Sequence, residues 1–204
     1  YANRDSLKYR SIYGLDDVPT MYRGTLRRIG FCRAWNIFVQ LGATDDSYTL
    51  EDSENMTYRD FINSFLRYNP HDSVELKLRH YLRIEQDDYI WDKLLWLGIF
   101  GDTKIGLKNA TPAQILQKIL QDKWSLTTDD KDMIVMWHKI NFTLENNQKE
   151  LISHMEYIGK DSVLTAMSDT VGLPLGIAAK MVLSGKIKKR GVLLPTEKEI
   201  YSSV

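Results

Sequence analysis

Thr127-Thr128-Asp129-Asp130-Lys131-Asp132-Met133-Ile134-Val135-Met136-Trp137 is the stretch where one periodicity stops and another begins. Hydroxyl and carboxylate residues punctuate the chain, and a run of apolar residues that suit a pleated surface follows. Asp132 to Asn141 reads as a strand, Asn146-Asn147 as a turn signal, and Leu151 to Ile158 as a returning strand that closes a hairpin. What precedes this stretch reads as helix, so the expected fold class is α+β.

Working backward, apolar residues recur with the spacing of a helix face. Ala34, Trp35, Phe38, Val39 and Leu41 form one stripe, which Gly42 stops. Thr57 caps a second helix with Tyr58, Phe61, Ile62, Phe65 and Leu66 before Pro70, and Ser73 opens a third through Val74, Leu76, Leu78, Tyr81 and Leu82. Ile90, Trp91, Leu94, Leu95, Trp96 and Leu97 carry a fourth to Gly98, and Thr111-Pro112 starts a fifth that buries Ile115, Leu116, Ile119 and Leu120. Residues 31–125 are thus expected to be a helical module. Working forward, a helix is expected from about Ser162, broken near Gly172, restarted by Pro174 and stopped by Gly185. Beyond it lie a short strand or turn at Val192–Leu194 and a frayed end. At the amino end, Asp5-Ser6 caps a short helix that Gly14 ends, and Met21 to Ile29 alternates as a strand with Arg23, Thr25 and Arg27 on one face.

The chain has 204 residues, with 27 Lys+Arg balanced by 27 Asp+Glu and a pI near 7.1. At about 150 residues per domain this is one large domain or two small ones. Ordinary values of 43% hydrophobic and 26% charged residues exclude a disordered or fibrous chain, and the zero net charge argues against nucleic-acid binding. One cysteine, Cys32, permits no internal disulfide and reads as a buried core thiol. The apolar runs Ile90–Phe100 and Val171–Leu183 are interrupted by charge, Gly or Pro and fall short of the ~20 residues of a membrane span. The chain opens at Tyr1 without a methionine or signal peptide, so a cytoplasmic piece of something longer is expected.

No G-x-G-x-x-G, P-loop, H-E-x-x-H or G-x-S-x-G occurs. Ser184-Gly185-Lys186 has the ending of a P-loop without its glycine-rich turn. His71, His80, His138 and His154 are scattered, with no second ligand at metal spacing, so no metal is expected. The Lys186, Lys188, Lys189 and Arg190 block reads as a solvated loop. The unusual feature is the arginine density near the amino end, where Arg4, Arg10, Arg28 and Arg33 surround Arg23 and Arg27. A guanidinium fork donates two parallel hydrogen bonds to a carboxylate or phosphate, and a ligand with several carboxylates needs such a clamp. A solvated strand edge, with arginines paired to Asp5, Asp16 and Asp17, would account for the same residues.

Asn3-Arg4-Asp5-Ser6, Tyr9, Ile12-Tyr13 and Arg23-Gly24-Thr25-Leu26-Arg27 together resemble the saccharopine dehydrogenase family of the glutamate-forming type. The resemblance continues in Lys131 to Met136, Thr165-Ala166-Met167, Thr170 to Pro174, Ala178-Ala179-Lys180, Gly185-Lys186-Ile187, Gly191-Val192, Pro195 and Glu199-Ile200-Tyr201. Trp96-Leu97-Gly98 with Phe100 is similar too. Family members commonly carry an aromatic where Arg28 stands and a proline or lysine where Ile29 stands.

The resemblance implies a helical module inserted in part of a mixed β-sheet substrate domain, with C-terminal helices that would pack on a missing Rossmann domain. The implied boundaries are 1–30 with 126–161 as the β-rich substrate-binding portion, 31–125 as the helical module, and 162–204 as the returning helices and tail. By the same resemblance Arg4 binds a carboxylate of saccharopine, and Thr25, Leu26 and Arg27 form a three-residue contact, Leu26 through its backbone. The family's proton-transfer residues lie upstream of Tyr1, so no catalytic residue is assigned. The implied reaction is NAD- or NADP-dependent. The secondary amine of saccharopine gives a hydride to nicotinamide, and the imine is hydrolysed to glutamate and aminoadipate semialdehyde in lysine metabolism. The cofactor would be bound mainly by the absent N-terminal domain, and this portion alone would be inactive. Partners expected are saccharopine and a second copy of the chain as a homo-oligomer, with no nucleic acid and no membrane. A related lysine or amine dehydrogenase keeps the fold and changes the substrate, and a non-catalytic helical dimerisation module keeps neither site nor chemistry.

Overall fold

Three helices of the central stretch begin where Thr57, Ser73 and Thr111 predict, in a computed structural model that describes residues 1–3, 6–202 and 204. Helix α1 (Phe31–Leu41) ends at Gly42 in the left-handed region. Helix α2 (Tyr58–Ser64) starts in a capping box: Thr57 Oγ1 accepts the Asp60 N–H at 3.0 Å, and the Asp60 carboxylate accepts the Thr57 N–H at 2.9 Å. Ser73 and Asp88 cap α3 (Val74–Leu82) and α4 (Tyr89–Leu97). Thr111 and Gln114 form a second capping box ahead of α5 (Pro112–Trp124), with Pro112 in its first turn. The chain divides into two units, and this helical set lies in the first, Tyr1–Ser6 with Thr20–Ser125.

One core fills that unit. Ile37 and Phe38 of α1, Phe61 and Ile62 of α2, Leu78 of α3, Ile90 and Leu94 of α4, and Ile115 and Ile119 of α5 meet there. Full burial of such a side chain stabilises by roughly 1.5–3 kcal/mol. Val39, expected on the stripe of α1, is 49% exposed, and Leu95 and Trp96 of α4 also face outward. At 100° per residue, Ile90, Trp91, Leu94 and Leu97 complete one face, and the two residues between fall on the other. Cys32 is exposed, correcting the expectation of a buried thiol: it stands on the far side of α1 from Ala34, Phe38 and Leu41. Polar ties lock the helices. Arg59 of α2 donates two parallel bonds to Glu75 of α3 at 2.8 and 3.0 Å, and the Tyr58 hydroxyl donates to Asp122 of α5 at 2.8 Å.

The second unit is Leu7–Pro19 with Leu126–Val204. Its sheet is a two-stranded antiparallel hairpin of β1 (Met133–Leu144) and β2 (Asn147–Ile158), paired from Met133↔Ile158 to Leu144↔Asn147. The turn is Glu145-Asn146, one residue earlier than expected, because both residues are left-handed (φ 52° and 61°), as a type I′ turn demands. The register gives the hairpin an apolar face of Ile134, Met136, Ile140, Phe142, Leu151 and Met155. The other face carries Trp137, His154 and the Lys139–Glu150 ion pair at 2.6 Å.

The expected helix at Ser162 is displaced. The Asp161 carboxylate accepts the N–H groups of Val163 and Leu164 at 2.8 and 2.7 Å, which turns the backbone there. Helical structure starts at 166–167, where the Asp132 carboxylate caps it by accepting the Ala166 and Met167 N–H groups at 2.5 and 3.0 Å. Nor does the helix break at Gly172. It widens into a π turn over Ser168–Gly172 and continues as α6 (Leu173–Leu183). An α turn there would drive the Pro174 ring into the Thr170 carbonyl, and the wider turn relieves that clash. No strand forms at Val192–Leu194, where the chain bends and then turns at 195–196, and the end expected to fray holds a short helix α7 (Lys198–Tyr201). The expected first helix is two single 3₁₀ turns, Leu7–Tyr9 and Ser11–Tyr13, and its expected cap Asp5 lies outside the described residues. No helix among the described residues is long and apolar enough to cross a membrane.

Candidate arginine site

Met21 to Ile29 forms no continuous strand. Its sole sheet-like contact among the described residues is the antiparallel bridge Ala2↔Gly24. Around it the Tyr1 nitrogen donates to the Thr25 carbonyl at 3.0 Å, the Thr25 N–H to the Tyr1 carbonyl at 2.8 Å, and the Asn3 N–H to the Arg23 carbonyl at 3.2 Å. Gly24 suits this approach, since a Cβ there would stand 3.0 Å from the Tyr1 carbonyl oxygen, tighter than an ordinary contact. The strand expected over Met21 to Ile29 is thus reduced to one bridge residue: the segment gains one short partner and not a ladder. Tyr22, Leu26 and Ile29 therefore stay exposed.

The arginines separate by role. Arg10 belongs to the second unit, where it donates to the backbone carbonyls of Leu15, Asp16 and Val18 and closes a loop. Arg33, on α1, pairs with Asp88 at 2.5 Å and lies over the Tyr89 ring at 5.7 Å. Hydrogen bonding to Tyr89 and to Asp88 holds its guanidinium above the ordinary pKa. Arg4 lies outside the described residues. Arg23 donates to Ser6 Oγ at 3.4 Å, and Ser6, buried, donates to the Asn3 carbonyl at 2.7 Å.

Arg27 is held differently. Its guanidinium carbon lies 5.3 Å from the Tyr1 ring centre and 5.4 Å from that of Phe31, within cation–π range of both. Its Nη2 donates to the Tyr1 hydroxyl at 3.3 Å and its Nη1 to the Leu26 carbonyl at 3.0 Å. Within the first unit, among the described residues, none of Arg23, Arg27 and Arg28 pairs with a carboxylate. Leu26 offers no side-chain contact, being 88% exposed, and its carbonyl is already engaged by Arg27. Thr25 is half-buried with its backbone fixed to Tyr1 on both sides. Sequence reading missed Tyr1 and Phe31 as part of this arrangement. Tyr1 and Arg27 are 26 residues apart, and no local periodicity joins them.

Arg27 is thus a guanidinium held against two rings beside a hydroxyl-bearing residue and, among the described residues, without a carboxylate partner, which suits a carboxylate ligand. Of two depressions in the first unit, a groove of about 460 Å³ beside α1 and α5 is lined by Trp35, Leu116, Leu120, Trp124 and neutral neighbours, with no charge, and the other, beside α5, carries Lys108 and Lys118. Among the described residues no cluster of three His, Cys, Asp or Glu side chains could hold a metal. A dinucleotide needs a strand, a glycine-rich turn and a helix N-terminus. The described strands form only the hairpin, so the residues present do not make that cradle.

All of residues 1–204 match the family described as "Saccharopine dehydrogenase C-terminal domain". The chain is 33% identical over 213 residues to the mitochondrial alpha-aminoadipic semialdehyde synthase of Rattus norvegicus, covering 100% of this chain and 22% of that protein. It is 28% identical over 214 residues to the saccharopine dehydrogenase [NADP(+), L-glutamate-forming] of Saccharomyces cerevisiae, covering 100% and 47%. A solved structure of apo saccharopine dehydrogenase (L-Glu forming) from Saccharomyces cerevisiae superimposes with a TM-score of 0.78 at 27% identity, over 100% of this chain and 47% of that one. The chain thus spans less than half the length of these relatives.

Proposed function

Because the chain belongs to the saccharopine dehydrogenase C-terminal domain family over its whole length, we propose that it is the substrate-binding portion of an NAD(P)-dependent saccharopine dehydrogenase. The complete protein would oxidise saccharopine to glutamate and aminoadipate semialdehyde, a step of lysine metabolism. The observation that carries this reading is Arg27, flanked by two rings and un-neutralised among the described residues of its unit. Saccharopine carries three carboxylates, and a guanidinium with open N–H groups receives one of them through two parallel bonds. Arg4, Thr25 and Leu26 complete the contact in this reading, Leu26 through its backbone N–H. These groups orient the substrate and move no proton. In this reading the redox cofactor is bound mainly by another part of the complete polypeptide.

The test is steady-state kinetics on the complete polypeptide that carries this chain. Arg27→Ala is expected to raise KM for saccharopine by about tenfold to hundredfold, the loss of a charge-assisted hydrogen-bonded pair. Saccharopine turnover that is indifferent to Arg27→Ala overturns the assignment.

A further inference from the structure

We infer that Tyr1 and Phe31 are positioning residues that hold the Arg27 guanidinium in one orientation, so that its remaining N–H edge is set for a carboxylate of the substrate. This rests on the reading of the chain as the substrate-binding portion of a saccharopine dehydrogenase. An exposed arginine on a long stem samples many rotamers, and fixing it on binding weakens affinity. Here the fixing is already done. A guanidinium has five N–H groups, and among the described residues two are engaged, one by the Leu26 carbonyl and one by the Tyr1 hydroxyl. The others remain for a ligand.

Both rings are themselves anchored. Tyr1 is tied through its backbone to Thr25 in both directions. Phe31 opens α1, donates its N–H to the Arg28 carbonyl at 3.0 Å, and stacks on Trp35 with ring centres 6.1 Å apart and planes inclined by 7°. The arrangement thus runs from the helical module through Phe31 to the arginine, and from the bridge at Gly24 through Tyr1 to the same arginine. Tyr1 is 58% exposed, so its ring contributes little to the core. Its placement over a charged group is what distinguishes it from an ordinary surface tyrosine. Rings acting on the orientation of a binding group change affinity and leave the chemical step alone.

The experiment uses the complete polypeptide, with saccharopine varied at saturating nicotinamide cofactor. Tyr1→Leu and Phe31→Leu keep apolar volume and remove the ring, and each is expected to raise KM for saccharopine about fivefold to tenfold with kcat changed less than about twofold. Tyr1→Phe keeps the ring and loses only the hydroxyl bond, so its KM should lie within about threefold of the parent. Melting temperatures of the three variants identify any that fail to fold, and Tyr1→Phe against Tyr1→Leu then decides the matter at the exposed position. An unchanged KM in both leucine variants, or a fall in kcat with KM unchanged, overturns the positioning role while Arg27→Ala still raises KM. If Arg27→Ala leaves KM unchanged, or the parent does not turn over saccharopine, the functional reading itself fails.

Discussion

Tyr58→Phe tests how the helical unit is held together. The Tyr58 ring is buried at the start of α2, and its hydroxyl donates to Asp122 of α5 across 64 residues of sequence. Burial first, and then the hydrogen bond to the Asp122 carboxylate, pushes the phenol up to about 12 from an ordinary 10. A hydrogen bond to a charged acceptor is worth about 1.5–3 kcal/mol, but Asp122 is exposed and regains water when the donor goes. The expected cost of Tyr58→Phe at pH 8 is therefore about 1–1.5 kcal/mol, or a fall of about 2–6 °C in Tm. The pH dependence has a fixed sign. A phenol whose folded pKa is raised contributes stability that is complete below the unfolded value of 10 and is lost as pH climbs toward 12. At pH 11 the unfolded phenol is about ten parts ionised to one neutral and the folded phenol the reverse, a difference of about 1.4 kcal/mol. Urea denaturation of parent and variant at pH 8 and pH 11 should thus show the gap between them closing at the higher pH. A gap that is absent at pH 8, or as wide at pH 11, refutes the reasoning.

Two further changes probe the second unit. Gly159→Ala would place a Cβ against the Asp132 carboxylate and 2.7 Å from the Ala166 nitrogen. It should destabilise by about 1–3 kcal/mol and speed hydrogen exchange at the Ala166 and Met167 amides, and unaltered exchange there would contradict the capping geometry. Glu145→Gly at the hairpin tip removes the strain of a side chain at φ 52° and should raise Tm by about 2–4 °C in a calorimetric scan, whereas a lower Tm would mean the turn is not of the primed type.

The helical unit was legible because its signals are local. Thr57, Ser73 and Thr111-Pro112 each lie beside the N–H groups they serve, and the stripes of α2 and α5 repeat within a few residues. The hairpin was legible for the same reason, apart from a one-residue error at its tip. What the sequence concealed depends on distant partners. The helix start at Ala166 is set by Asp132, 34 residues earlier. The alternation at Met21 to Ile29 had no way to announce that its partner would be only Ala2. At the candidate site, the arginine density was visible, but which guanidinium would be engaged and by what was not. Arg10 and Arg33 satisfy local carbonyls and a carboxylate, and Arg27 meets rings from Tyr1 and Phe31 that only the folded chain brings to it.

The two left-handed residues at the tip of the hairpin act as a gauge for the whole ribbon. Pairing is fixed at Leu144↔Asn147 and propagates rung by rung to Met133↔Ile158. Side chains alternate with a period of two, so a one-residue slip of the pairing would invert one strand against the other. Ile134, Met136 and Ile140 would then lie beside Glu150 and Glu156 in place of Leu151 and Met155. Insertions within the paired strands should therefore be tolerated only in pairs, whereas the exposed tip at Glu145-Asn146 can lengthen without moving the rungs.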